Sequence, residues 1–173
     1  IEVKYEILPH VIDVVEAMQP GAPLLHDDLF TVGVEPKPDK PSNIAKRIEI
    51  KVGDVEAGFK KADVIIEREF KTAPVHQGYI EPHAALAIVS EDGATELWTT
   101  TQGHYIVRAH CARLLGLDMG QVRVTATEIG GGFGGKTVVY LEPLAIALSR
   151  KAKRPVKMVM SREEVFKASG PTS

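Results

Sequence analysis

The sequence predicts an α+β fold in which helices pack against a mixed β-sheet. Two apolar runs, residues 84–89 and 95–101, flank the turn residues Glu91, Asp92 and Gly93, and this pattern is typical of a β-hairpin. Further along, a strand-like run, a glycine-rich turn and a helix-like run follow one another, which indicates a strand–helix crossover. Because a hairpin pairs its strands antiparallel and a crossover allows parallel neighbours, we expect the sheet to be mixed.

The N-terminal part of the chain is predicted to form a separate small domain. Residues 2–8 are predicted as a strand and residues 13–18 as a short helix. Residues 35–43 are rich in proline and lysine, a composition typical of an exposed and irregular connector. We therefore place the end of one domain at residues 1–34 and the start of the next at residue 44.

Residues 44–173 are predicted to form the α+β domain. Residues 44–52 and 64–70 alternate as strands do, and Asp54 is placed to cap a helix that runs to Ala62. Further strands are expected at 122–129 and 156–160, and further helices at 104–115, 140–152 and 162–168. The predicted core stripes are Ile106, Ala109, Ala112 and Leu115 on one helix, and Leu141, Leu144, Ala145, Leu148 and Ala152 on the next.

Composition excludes several classes of function. The chain has 173 residues, of which 44% are hydrophobic and 25% charged, with a net charge of −2. This balance gives no electrostatic case for nucleic acid or an anionic membrane. No apolar run approaches the ~20 residues that span a bilayer. No signal peptide is visible either, so we expect a cytoplasmic protein.

The chain holds one cysteine, Cys111, which excludes an intrachain disulfide and an iron–sulfur cluster held by this chain alone. Its place in a helix-like run favours a buried and inert thiol. The histidines show no convincing metal-ligand spacing, although His76 and His83 flank Glu81. We therefore predict no metal site built from protein ligands.

A glycine-rich loop, residues 130–137, is the strongest functional signal in the chain. Glycines let backbone N–H groups approach a ligand closely, and such a loop before a helix is suited to bind an anion. The loop satisfies both the dinucleotide pattern and the P-loop pattern. The acidic residue that the first pattern needs about 20 residues later is missing. No aspartate follows Thr137 to serve the second. A P-loop nucleotide site and a turn that only mediates packing remain alternatives.

Several segments in order resemble the xanthine dehydrogenase and aldehyde oxidase family. The loop itself is similar to that family's GGGFGGK segment, and residues 2–26 resemble the end of its preceding hammerhead domain. The other similar segments are residues 79–87, 101–105, 113–117, 154–157 and 161–164. The resemblance implies part of a larger molybdenum-cofactor-binding subunit, with 1–34 as the end of a hammerhead-like domain and 44–173 as the N-terminal part of the cofactor domain.

The resemblance also implies roles for individual residues. In this family a molybdenum held by a pterin dithiolene hydroxylates a carbon centre with oxygen from water, and the protein binds and orients the cofactor. Gln102 matches the glutamine whose amide meets the oxo group of the metal, which makes it the candidate catalytic residue. The candidate cofactor-binding residues are Gly131, Gly132, Phe133, Gly134 and Gly135.

Glu81, Thr137 and Lys136 are the remaining candidates near the site. Glu81 is either a residue of the substrate pocket or a carboxylate tied to backbone amides, and Lys136 is either an active-site cation or a solvated lysine at a helix start. Purine-oxidising members carry a glutamate where this chain has Thr137, and threonine is no acid or base at neutral pH. An aldehyde or a (hetero)aromatic carbon centre is therefore the favoured substrate.

The resemblance further implies a multi-subunit enzyme. The cofactor is expected to be molybdopterin, in a dinucleotide form, with molybdenum. A [2Fe–2S] cluster and FAD are expected on partner subunits or domains, and the complex is expected to be a homo-oligomer. The family's catalytic glutamate, and the copper-bound cysteine of its carbon monoxide-oxidising members, match no residue up to Ser173. We therefore expect the chain by itself to be inactive.

Overall fold

The computed structural model describes residues 2–170. The chain divides into two compact units, Ile1–Glu67 and Arg68–Ser173. None of the helices among the described residues has the length and apolar character needed to cross a bilayer.

The first unit contains two short helices, both predicted from the sequence. Helix α1 spans Val14–Ala17, and the Asp13 side chain accepts hydrogen bonds from the backbone amides of Val15 and Glu16. Helix α2 spans Val55–Lys61, and the Asp54 side chain accepts from the amide of Ala57 at 2.9 Å. In both cases an aspartate satisfies amides that the first helical turn leaves unpaired, which fixes where the helix begins.

The strands predicted at residues 2–8, 44–52 and 64–70 are wrong. The described part of the first unit holds no extended strand, and its one isolated bridge pairs Val32 with Lys46. Alternation can suggest a strand, but the strand forms only where a neighbouring backbone accepts its hydrogen bonds. The side-chain amide of Asn43 instead ties this region together, because it donates to the carbonyls of Ala17 and Pro23 and accepts from the amide of Leu25.

The second unit is built on a four-stranded mixed sheet, as predicted. Its strands are β1 (Ala84–Val89), β2 (Thr95–Thr99), β3 (Val122–Ala126) and β4 (Val156–Val159). They lie in the order β3-β2-β1-β4. Strand β1 pairs antiparallel with β2 and β4, whereas β2 and β3 are parallel. The predicted hairpin accounts for the first antiparallel pair, and the crossover through a helix accounts for the parallel one.

Three helices complete the second unit at the predicted places. They are α3 (His104–Leu115), α4 (Glu142–Ala152) and α5 (Arg162–Ala168). Helix α4 has Pro143 in its first turn, where the missing N–H is no loss. Helices α3 and α4 pack on the sheet, and their buried core comprises Ala85, Ala87, Leu97, Val107, Cys111, Ala145 and Ile146.

The helix faces that form this core differ from the predicted stripes. Ala112 and Ala145 are buried as expected, and Leu115 and Leu141 pack against the core, but Ile106, Leu144 and Leu148 lie at the surface. The buried positions of α3 and α4 are instead Val107, Cys111, Ala112, Glu142, Ala145, Ile146 and Ser149. Two apolar stripes one residue apart differ by only about 100° around a helix, so periodicity alone did not select between them.

Cys111 is fully buried in this core, which confirms the prediction of an inert thiol environment. Burial, together with the negative charge of Glu142, raises the pKa of the thiol to about 12. Because the thiolate is the reacting form, we expect no measurable modification of the folded protein by a disulfide-exchange reagent at pH 8. The same protein unfolded in guanidinium should react with one equivalent, and rapid labelling without denaturant would contradict this burial.

Candidate functional site

The glycine-rich loop, residues 130–137, connects β3 to α4 and is held at both of its ends. At the first end, the amide of Glu81 donates to the carbonyl of Gly130, and the amide of Gly130 donates to Oε2 of Glu81 at 2.8 Å. At the other end, the Gln102 amide and the Thr101 hydroxyl both donate to the carbonyl of Lys136. The segments before β1 and after β2 therefore fix the two ends of the loop.

Gln102 contacts this loop through its side-chain oxygen. Its Oε1 accepts hydrogen bonds from the backbone amides of Gly134, at 3.0 Å, and Lys136, at 3.2 Å. Only the oxygen of a carboxamide can accept a hydrogen bond, so these contacts determine which end of the group faces the loop. The Nε2 amino group has no partner among residues 2–170 and remains a free neutral donor on an exposed residue.

The loop also presents a row of free backbone donors. The amides of Gly131, Gly132 and Phe133 donate to no atom among residues 2–170. Phe133 is 72% exposed. Its φ of 48° is positive, a backbone conformation that is unfavourable for a non-glycine residue and is held here by the surrounding turn. Three consecutive free amides next to Gln102 offer a set of hydrogen-bond donors suited to an anion or a group rich in acceptor oxygens.

Glycine is required at Gly132 because the loop and Gln102 approach each other closely. A Cβ atom at Gly132 would lie 2.5 Å from Oε1 and 2.7 Å from Cδ of Gln102. These distances are far inside van der Waals contact, so any side chain at this position must displace the glutamine. Gly134 is required for a different reason, since its φ of 87° lies in the left-handed region.

Gly132→Ala is therefore expected to push Gln102 out of its contact with Gly134 and Lys136. We expect the free energy of unfolding to fall by about 0.5–1.5 kcal/mol, as measured by denaturant titration, because the exposed Gln102 side chain can move aside and the loss is that of its hydrogen bonds to the loop. Gly58→Ala is the control, because nothing lies within 4 Å of a Cβ there and alanine is favoured inside helix α2. Equal stability of Gly132→Ala and the wild type would contradict the close approach.

Lys136 is neither solvated nor free. The whole residue is 1% exposed, and its Nζ lies 2.7 Å from Oε2 of Glu81 and 5.0 Å from the centre of the Tyr79 ring. Of the two alternatives for this residue, a solvated lysine at a helix start is thus wrong, and an active-site cation stays a prediction. A lysine enclosed in this way cannot reach the phosphates of a nucleotide, so the geometry also contradicts the P-loop alternative.

The electrostatics of Glu81 follow from this pair. Burial alone raises the pKa of the carboxyl, but the hydrogen bonds from Lys136 and the Gly130 amide and the lysine charge outweigh it, so the pKa is lowered. Glu81 is consequently an anion that neutralises Lys136 and braces the start of the loop. Glu81 therefore helps to hold the loop that carries the free amides, and it is not an unpaired acid.

A buried hydrogen-bond network underlies the loop, and sequence reasoning missed it. The Tyr79 hydroxyl contacts His83 Nε2 at 2.6 Å and Ser169 Oγ at 3.0 Å, and Ser169 Oγ also contacts His76 Nε2 at 3.0 Å. Burial lowers the pKa of His83 below its ordinary value, and the negative charge of Glu142 opposes this only in part. His76 and His83 are therefore joined through hydroxyls. In the sequence, the one sign of this network is that His76 and His83 flank Glu81, and that spacing was interpreted only as a possible metal site.

The structure places the other predicted residues as follows. The Thr137 hydroxyl donates to the carbonyl of Gly134 at 2.8 Å, so it closes the last turn of the loop. Helix α4 begins just beyond, where the buried Glu142 accepts from the Thr99 hydroxyl and the Tyr140 amide, both at 2.8 Å. Within residues 2–170 no group of three or more histidine, cysteine or acidic side chains is arranged to hold a metal ion. The loop, Gln102, Glu81 and Thr137 are thus connected by hydrogen bonds into one cluster.

Comparison with known proteins identifies the family. Residues 36–173 match the model of the molybdopterin cofactor-binding domain. The chain belongs to this family. The resemblance inferred from the sequence segments is thereby confirmed, and the mixed sheet is that of a molybdopterin cofactor-binding domain.

Two curated relatives show how much of a larger protein this molybdopterin cofactor-binding chain represents. It is 30% identical over 164 residues to the nicotinate dehydrogenase large molybdopterin subunit of Eubacterium barkeri, covering 95% of this chain and 36% of that protein. It is 35% identical over 171 residues to the carbon monoxide dehydrogenase large chain of Afipia carboxidovorans, covering 95% and 21%. The chain thus spans about a third or less of the length of these relatives.

Solved structures agree with the fold of the molybdopterin cofactor-binding chain. Reconstituted carbon monoxide dehydrogenase from Oligotropha carboxidovorans superimposes with a TM-score of 0.75 at 32% identity, covering 95% of this chain and 21% of that one. Aldehyde oxidoreductase from Desulfovibrio gigas superimposes with a TM-score of 0.64 at 26% identity, covering 70% and 13%.

Proposed function

We propose that the protein containing this chain is the large subunit of a molybdenum hydroxylase, and that the glycine-rich loop and Gln102 form one wall of its cofactor site. One observation carries the proposal. The loop fixes Oε1 of Gln102, so the free Nε2 donor stands beside three free backbone amides. A tight turn that served only for packing would have no need to orient a neutral donor in this way.

The residues present fit a molybdopterin cofactor. Its phosphate and its metal-oxo oxygens are acceptors, and the wall offers N–H donors from Gln102, Gly131, Gly132 and Phe133. The nearest carboxylate, Glu81, is neutralised by Lys136 at 2.7 Å, so it does not repel an anion. At Gly132 the missing Cβ makes room for Gln102, which lets the glutamine side chain lie directly against the loop.

When bound, the molybdenum cofactor supplies hydroxylation of a carbon centre with oxygen taken from water. Gln102 would offer the bound cofactor a neutral hydrogen-bond donor, its free Nε2 group, without adding charge. The role of residues 131–135 is to hold and orient the cofactor through backbone donors. Thr137 supplies no acid or base, because its hydroxyl does not ionise at neutral pH, and its proton is already donated to the carbonyl of Gly134.

The substrate we propose is an aldehyde or a (hetero)aromatic carbon centre. Its support is Thr137, which stands where purine-oxidising members of the family carry a glutamate. The names of the relatives include a nicotinate dehydrogenase from Eubacterium barkeri and an abscisic-aldehyde oxidase from Arabidopsis thaliana, but also a probable xanthine dehydrogenase subunit from Bacillus subtilis, so the proposal rests on Thr137 and not on these names.

We further propose a dinucleotide form of molybdopterin, and iron–sulfur and FAD groups on partner subunits of a homo-oligomeric complex. Two relatives are named as a large subunit or large chain, which implies smaller partners in those proteins. The single cysteine of this chain cannot hold a [2Fe–2S] cluster by itself. We also propose that residues 1–34 are the end of a hammerhead-like domain and that residues 44–173 are the N-terminal part of the cofactor-binding domain.

The test is analysis of the full-length protein purified from its own host. We expect molybdenum and a pterin dinucleotide in about equal amounts to the subunit, and reduction of an artificial electron acceptor with an aldehyde or a nitrogen heterocycle. Absence of molybdenum from protein that is folded and assembled with its partners would contradict the proposed function. Turnover of hypoxanthine at a rate equal to that of aldehydes would contradict the role assigned to Thr137.

A further inference from the structure

We infer that Glu81 and Lys136 are a positioning pair, which closes the two ends of the glycine-rich loop on each other and so aims the Gln102 donor. This inference rests on the proposed function of the site. Neither residue needs to touch the cofactor or substrate, because both act through the loop and through Gln102.

The contacts of Lys136 connect every part of the site. Its backbone amide donates to Oε1 of Gln102, and its carbonyl accepts from the Gln102 amide at 2.9 Å and the Thr101 hydroxyl at 3.0 Å. Its side chain runs to Glu81, which in turn exchanges two hydrogen bonds with Gly130. Lys136, which directly follows the glycine run, is thus connected through Glu81 to Gly130 at the start of the run. Its backbone connects it to Gln102.

Burial gives this connection its stiffness. The Lys136 side chain is 0% exposed and the Glu81 side chain 31% exposed, so the ammonium has no access to water whereas the carboxylate does. An ammonium removed from water must keep its carboxylate and its contact with the Tyr79 face, which leaves its position little freedom. Such a pair adds little net stability compared with apolar side chains of the same size, so its main effect is to fix the geometry of the loop.

The decisive variant is Lys136→Met in the cofactor-loaded full-length enzyme. Methionine fills a similar volume, and the half-buried Glu81 keeps its Gly130 hydrogen bond and its access to water, so the variant is expected to fold. We expect the turnover number per molybdenum to fall by about 10²-fold, the cost of a small misplacement at a reacting centre, while KM changes far less. Molybdenum content is measured on the same samples.

Lys167→Met is the matched control. Lys167 also pairs with a glutamate, Glu163, but both side chains are more than 70% exposed on helix α5. Loss of this exposed pair is expected to leave turnover per molybdenum unchanged. The control separates the removal of a lysine charge from the loss of loop geometry.

Hydrogen exchange gives a second readout that does not need activity. In the wild type the amides of Gly134 and Lys136 are held by Gln102 Oε1, and in Lys136→Met we expect peptides covering residues 130–137 to exchange about tenfold faster or more. Unchanged exchange, or faster exchange with unchanged turnover per molybdenum, would overturn the inference even if the melting temperature fell. A wild-type protein without molybdenum would instead count against the proposed function, and the exchange comparison would then decide alone whether the pair holds the loop.

Discussion

Replacement of Gln102 by alanine in the full-length enzyme is expected to lower the turnover number per molybdenum by about 10²–10³-fold, the usual cost of removing one oriented donor at a reacting centre. The expectation follows from the side chain's geometry, because Oε1 is used by Gly134 and Lys136 and only Nε2 is free to donate. Molybdenum content should stay largely intact, since the free amides of residues 131–133 remain. Steady-state kinetics and metal analysis on the same preparation provide the measurement.

Gln102→Glu tests the donor separately from the acceptor. A glutamate can still accept from the amides of Gly134 and Lys136, so the loop keeps its support, but it offers no N–H group at neutral pH. We expect Gln102→Glu to lose at least as much turnover as Gln102→Ala, because it lacks the N–H donor and also places a negative charge beside an anionic cofactor. If the glutamate variant kept wild-type turnover, Nε2 would have no part in the reaction and the role of Gln102 would be limited to holding the loop.

Glu81→Gln is expected to cost the most stability of the single substitutions around the loop. It leaves the Lys136 ammonium fully enclosed with no counter-charge, whereas Lys136→Met leaves a carboxylate that can still reach water. Breaking an enclosed ion pair from one side typically costs about 3–5 kcal/mol, and we expect about 2–3 kcal/mol here because the Glu81 side chain is 31% exposed. Denaturant titration of the free energy of unfolding measures the effect.

Two comparisons make this prediction specific. Glu163→Gln breaks the exposed pair with Lys167 and should change the free energy of unfolding by well under about 1 kcal/mol. The double variant Glu81→Gln, Lys136→Met removes both charges and should be more stable than Glu81→Gln alone. A double variant that is no more stable than Glu81→Gln would show that the stranded ammonium is not the cause of the loss.

The pH dependence of stability has a definite sign. The pKa of Glu81 is lower in the folded protein than its ordinary value of 4.5, so its contribution is complete above that value and is lost as the pH falls through the lowered pKa. As the pH is lowered from neutral to strongly acidic, the free energy of unfolding of Glu81→Gln should therefore fall by less than that of the wild type.

The elements that the sequence predicted well are those set by short-range interactions. The β1–β2 hairpin follows from a turn between two apolar runs, and helices α3 and α5 begin and end where predicted. The Ser161 side chain caps α5 through the Glu164 amide, while the Glu164 side chain accepts from the Ser161 amide. Such signals lie within a few residues of each other, so they can be recognised without knowing the rest of the fold.

The elements that failed depend on partners distant in the chain. Residues 2–8 and 44–52 alternate as strands do but find no backbone to pair with, and Ile106 and Leu148 lie outside the core although periodicity favoured them. The network of Tyr79, His83 and Ser169 joins positions up to 90 residues apart, so the local sequence does not predict it.

The sequence by itself determined that this chain has a glycine-rich loop between a strand and a helix, that Gln102 accompanies it, and that both belong to a molybdopterin cofactor-binding domain. These are properties of residue type and order. Only the tertiary structure decided which atom of Gln102 is free, and that Lys136 is enclosed against Glu81 instead of solvated. Amide orientation and burial depend on which backbone and side-chain groups meet across 32 to 55 residues of chain, and local sequence carries no such information.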